Sequence, residues 1–112
     1  MARVAGRAVT MQLRLAGTVE DFESRESRAV EAGLRQALAC PAPRCLLSMS
    51  IEPGSVLLTI VATDTAPNSR IAAAARAMQA LPLPTLSRAL GVSVEAPPTL
   101  RSVRAVEFLV MR

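Results

Sequence analysis

The chain has no histidine, no lysine, no tryptophan and no tyrosine, and only two phenylalanines, Phe22 and Phe108. Each gap removes a class of function. Without histidine there is no Ser-His or Cys-His nucleophilic pair, the commonest general base is missing, and most zinc and haem sites lose their usual ligand. Two cysteines, Cys40 and Cys45, cannot close a structural zinc site unaided. No stretch has the GxxxxGK or GxGxxG spacing that cradles phosphate on backbone N–H groups. A single-strand nucleic-acid binder would lack stacking platforms here, and arginines spread from Arg3 to Arg112 form no basic stripe. No apolar run approaches the roughly 18 residues that suggest a membrane-crossing helix. The expectation is therefore no enzyme, no cofactor, no metal and no transmembrane segment, with nucleic acid disfavoured as a partner.

What is there is aliphatic and arginine-rich. At 112 residues, with 51% hydrophobic and 20% charged residues, the chain suffices for one domain with its own core and is too apolar for disorder. That core must come from Leu, Val, Ile, Met and Ala. The 13 basic residues are all arginine, which codon bias in a GC-rich genome explains at least as well as a need for bidentate guanidinium contacts. The net charge of +4 and pI near 10.9 imply only weak, salt-sensitive adhesion to anionic surfaces. Residues 1–17 hold Arg3, Arg7 and Arg14 and no acid, the composition of an organellar transit peptide. Against that, Val9, Met11, Leu13 and Leu15 alternate with Thr10, Gln12 and Arg14, the pattern of a strand.

The organising stretch is Leu46–Ala62. Leu47, Met49 and Ile51 alternate with Ser48, Ser50 and Glu52, and Val56, Leu58 and Ile60 alternate with Leu57, Thr59 and Val61. Between them, Glu52-Pro53-Gly54-Ser55 has Pro and Gly where a type II turn wants them. A hairpin with one apolar face is expected. Ahead of it the sequence predicts a strand over Ala8–Leu15, then a helix capped by Thr18 and running to about Ala39. That helix has an apolar stripe of Val19, Phe22, Ala29, Val30, Leu34, Ala37 and Leu38. Asp21 with Arg25 and Glu31 with Arg35 are spaced as i,i+4 pairs on a solvated flank. After the hairpin, Asp64–Pro67 reads as a loop, Asn68 or Ser69 as a cap, and Ile71–Leu81 as a helix broken by Pro82 and Pro84. Thr85 would cap a short last helix ending at Gly91. Val92 and Val94 start a further strand, and Val103–Met111 reads as an edge strand. The fold class this predicts is α+β: a ferredoxin-like βαββαβ sandwich, an antiparallel sheet with two helices on one face. Its domain is 1–112, with 1–7 a short arm and 97–112 an extra edge strand or tail.

Cys40 and Cys45 flank a Pro-containing loop between two elements that must meet. A disulfide there is favoured over two reduced thiols, and it would imply an oxidising compartment. The spacing is not that of a redox CxxC motif.

Gly54-Ser55-Val56-Leu57-Leu58 resembles the Gly-Ser-Val-Val-Val run of SEA-type domains, ferredoxin-like modules of extracellular and membrane-tethered proteins. Here Leu57 and Leu58 replace the last two valines. The chain is also similar to SEA-like repeats in surface proteins of algae and other protists, with Pro53-Gly54-Ser55-Val56 at the turn, then Leu90-Gly91-Val92 and Pro97-Pro98. The resemblance implies Ser55 as nucleophile and Gly54 as acyl donor for a strain-driven self-cleavage. Pro53 allows a relaxed turn, so an intact chain is expected. The function it implies is a non-catalytic structural or protein-interaction module of a larger surface or extracellular assembly, with protein partners that include other subunits or domains of that assembly. The alternative is a basic accessory subunit of an intracellular or organellar complex, docking protein or RNA through an open sheet.

Overall fold

The computed structural model describes residues 2–52, 56–66 and 69–110, with the strand ends 2–5 and 106–110 as backbone alone. In order these are β1 (Ala2–Leu15), α1 (Val19–Asp21), a π-helical turn (Phe22–Glu26), α2 (Ser27–Ala37), β2 (Cys45–Ile51), β3 (Val56–Asp64), α3 (Ile71–Ala80), α4 (Leu83–Leu90) and β4 (Thr99–Val110). The fold is α+β, a four-stranded antiparallel sheet in the order β2-β3-β1-β4.

Period-two alternation decides which sheet face is covered. Val9, Met11, Leu13 and Leu15 of β1 and Val56, Leu58, Ile60 and Ala62 of β3 are buried. They form one core with Phe22, Val30 and Leu34 from the first helices, Ile71, Ala75 and Met78 of α3, and Leu86 and Leu90 of α4. β2 is an edge, so its apolar row Leu47, Met49 and Ile51 is only half-buried. The two arms pair with Ile51 opposite Leu58, and the Glu52 N–H donates to Leu57 O at 3.3 Å. The turn residues Pro53, Gly54 and Ser55 lie outside the described residues.

Several expectations need correction. The first helix is not one uniform α-helix. The Ser27 N–H bonds back five residues to Phe22 O, a π-turn that inserts one extra residue. The later turns rotate accordingly, so Val30, Leu34 and Leu38 share the buried side with Phe22 while Ala29 is exposed. The helix ends at Ala37, short of Ala39. Ala39 sits at φ 51°, with Ala39 N–H on Gln36 O and Cys40 N–H on Arg35 O at 2.8 Å. This is a Schellman ending with alanine where glycine is usual. α3 ends at Ala80, just before Pro82, but Pro84 belongs to the next helix: α4 starts at Leu83, and Pro84 lies in its first turn, where a missing N–H costs nothing. Thr85 is thus inside α4 and does not cap it.

Strand placement also differs. β1 begins at Ala2, not Ala8. β3 stops pairing at Arg7 opposite Asp64, while β1 and β4 continue to Ala2 opposite Val110. Val92–Val94 does not form the fourth strand; Val94 makes one isolated bridge to Leu15. Two prolines at 97 and 98 stop that start, and β4 runs from Thr99.

Gly33 sets how closely α2 and α4 approach. A Cβ there would lie 2.5 Å from Ala89 O and 3.0 Å from Leu90 Cα. Only a residue without a side chain fits.

Candidate functional site

The polar residues that the fold gathers lie at one corner, where α2, the Cys40–Cys45 loop and the end of β3 meet. The Schellman ending turns the chain inward at Cys40, and Cys45 opens β2. Both cysteines are buried and joined by a disulfide with Cα atoms 5.1 Å apart. Arg35, in the last turn of α2, donates to Cys40 O at 3.1 Å and to Cys45 O at 2.9 Å. Cys45 N–H donates to Pro41 O at 2.8 Å.

Asp64 closes the other side. It continues the inward phase of Leu58, Ile60 and Ala62 and is 0% exposed. Its carboxylate accepts from Arg44 Nε at 3.0 Å, from Arg44 Nη2 at 3.3 Å and from the Ala66 N–H at 3.1 Å. Thr65 Oγ1 donates to Arg44 O at 3.2 Å. Burial pushes the Asp64 carboxyl up, but the hydrogen bonds from Ala66, Ser69 and Arg44, with the nearby guanidinium charge, outweigh it and hold the carboxyl below its ordinary value. A carboxylate so held stays ionised and is a poor proton acceptor. The chemistry of this corner is fastening: guanidinium groups and a carboxylate satisfy backbone groups that a sharp chain reversal would otherwise leave bare.

The expected pairing of Cys40 with Cys45 is present, but the three residues around it are not among the site residues that the sequence singles out. Arg35, spaced from sequence to pair with Glu31 on a solvated flank, is half-buried and reaches the loop carbonyls instead. Asp64, expected at the start of a loop, is the last residue of β3, and its place in the even-numbered, inward phase of that strand is a usable signal. Arg44 carried no signal beyond standing next to Cys45. Asp21 and Arg25 do pair, at 2.9 Å. The self-cleavage candidates Gly54 and Ser55 lie outside the described residues. Among the described residues no group of three or more potential metal ligands comes together, and no helix is long and apolar enough to cross a membrane.

A second feature is the face of the sheet that the helices leave bare. Ser48, Ser50, Thr59, Thr10 and Gln12 stand on it, and Gln12 Nε2 donates to Thr59 Oγ1 at 3.4 Å. Two large apolar residues join them, Leu46 at 62% exposure and Val61 at 36%.

Compared with known proteins, the chain matches no family model, no curated protein and no solved structure.

Proposed function

We propose that this chain is a non-catalytic structural or protein-interaction module of a larger surface or extracellular assembly, built on a ferredoxin-like, SEA-like framework. The observation that carries the reading is the bare sheet face, with Leu46 and Val61 exposed among short hydroxyl side chains. Such a surface lies one small step from burial against another protein. The strand order, with the first and third strands central and the helices on one side, supports the ferredoxin-like part. The Gly54-Ser55-Val56 run supports the SEA-like part, and the Cys40–Cys45 disulfide supports an oxidising compartment. Protein partners on the bare face follow from the same reading.

The test places a photo-crosslinking residue at Thr59 and expresses the chain in its native host. Adducts with other polypeptides, together with Cys40 and Cys45 protected from alkylation until reduced, are expected. A free monomer with two titratable thiols would overturn the proposal. It would favour instead the intracellular accessory subunit, for which the open sheet and its exposed Arg14 and Arg104 speak. A Ser55→Ala variant is expected to match wild type as a single band on a denaturing gel; two bands in wild type alone would identify self-cleavage.

A further inference from the structure

β2 is an outer strand with half of its backbone groups turned away from the sheet. The Glu52 N–H bond to Leu57 O fixes the phase: even-numbered residues of β2 bond to β3, and odd-numbered ones point outward. At Cys45 this outward pair is sealed, its N–H by Pro41 O and its carbonyl by Arg35. At Leu47, Met49 and Ile51 no other backbone group among the described residues reaches the outward N–H and C=O. Sheet edges are ordinarily guarded by charge, proline or a bulge. The other edge, β4, carries Arg101, Arg104 and Glu107 and a register shift against β1. Cys45–Ile51 has no charge and no proline, and its pairing with β3 has no bulge.

We infer that β2 is the docking edge for a second copy of this chain, the two β2 strands pairing antiparallel about a two-fold axis at Met49 to make one continuous eight-stranded sheet. In this register the strand is self-complementary. With Met49 opposite its own copy, Leu47 falls opposite Ile51 and Ser48 opposite Ser50. Apolar side chains then meet apolar ones on the helix-covered face, and hydroxyls meet hydroxyls on the bare face. The three open residues of each strand face one another, so each outward N–H meets an outward carbonyl. The half-buried row Leu47, Met49 and Ile51 gains the cover that an outermost strand lacks. Arg35, by closing the rung at Cys45, sets one limit of the pairing. Main-chain bonds supply the attachment and the alternating side chains the register, as in other strand additions. This goes beyond the interaction-module reading, which requires a partner without naming one, and the two can fail separately.

The oxidised full chain is examined by sedimentation equilibrium over a concentration series, and a species of twice the 11.8 kDa chain mass is expected. Met49→Pro removes one outward N–H and no bond to β3, and it should weaken association about tenfold or more. Register is read by cysteine pairs under oxidised glutathione. Residues directly opposite in such a ladder have Cα atoms about 5.5 Å apart, within disulfide reach. Met49→Cys should therefore cross-link to itself. Leu47→Cys and Ile51→Cys should cross-link when mixed but neither alone. A chain that stays monomeric throughout, or cross-links without this register preference, overturns the inference. Should Met49→Pro fail to fold, the wild-type mass and the cysteine register still decide it. Adducts at Thr59 in the native host would leave the interaction-module reading standing even then.

Discussion

β3 shows two environments separated by a single residue. Leu58 and Ile60 point into helices and are sealed from water, while Thr59 and Val61 point out from the same backbone onto a surface with no helix over it. The same strand thus belongs half to a core and half to a surface. The difference teaches that the helices, not the sheet, decide where the energy lies. A sheet paired on both sides holds its backbone equally well at Leu58 and Thr59, so a difference between them reports side-chain burial alone.

The sharpest way to break this comparison is substitution on β3. Leu58→Ala should cost about 2–5 kcal/mol, because it leaves a cavity under the helices. Thr59→Ala should cost under about 1 kcal/mol, losing one long hydrogen bond to Gln12. Chemical denaturation of both variants measures it; equal losses would mean that the two faces are not distinct. Gly33→Ala tests the cover itself. Its new Cβ would meet the Ala89 carbonyl, and separating α2 from α4 should cost roughly 1–3 kcal/mol, read as a lowered Tm.

The fastened corner comes next. Arg44→Ala leaves the buried Asp64 carboxylate with fewer donors, and a loss of about 1–2 kcal/mol is expected, at the low end for a buried pair because half of Arg44 remains in water. Asp64 also gives a pH signature. Its folded pKa lies below the unfolded one, so its contribution is complete above the ordinary carboxylate value near 4 and fades as pH falls through the lowered folded value. Stability measured by denaturant at successive pH should therefore decline in acid, and Asp64→Asn should flatten that decline. The smallest effect expected is at Arg25: its pair with Asp21 is exposed, and Arg25→Ala should shift stability by under about 0.5 kcal/mol.

How far the sequence disclosed this molecule follows from which forces are local. Alternation in Val9–Leu15 and Val56–Ala62 was legible because each strand carries its own record of which side is wet. The helix at Ile71 was legible from its alanine-rich stripe, and Ser69 does accept from the Ile71 N–H. The π-turn was not legible: one inserted residue shifts a stripe without altering its composition, and Ala29 is as apolar as a core residue. The edge strand expected over Val103–Met111 was legible from its alternation, and residues 103–110 of it lie in β4. The start of β4 at Thr99 and residues 2–7 of β1 were hidden, because those segments are held as strands by their pairing with each other's strand. In the corner, the cysteine spacing favoured the disulfide that the structure contains, while its surroundings stayed hidden. Arg35 looked like any surface arginine, since reaching a loop ten residues away is a property of the turn at Ala39. Asp64 could have been found, since an acid on the inward phase of a strand demands a buried partner.

Hydroxyl-radical footprinting of the oxidised chain, read residue by residue by mass spectrometry, tests the two-sided sheet most directly. Leu46 and Val61 should be labelled readily, and Leu58 and Ile60 only after denaturant is added. Comparable labelling of Leu58 and Val61 in the folded protein would contradict the account.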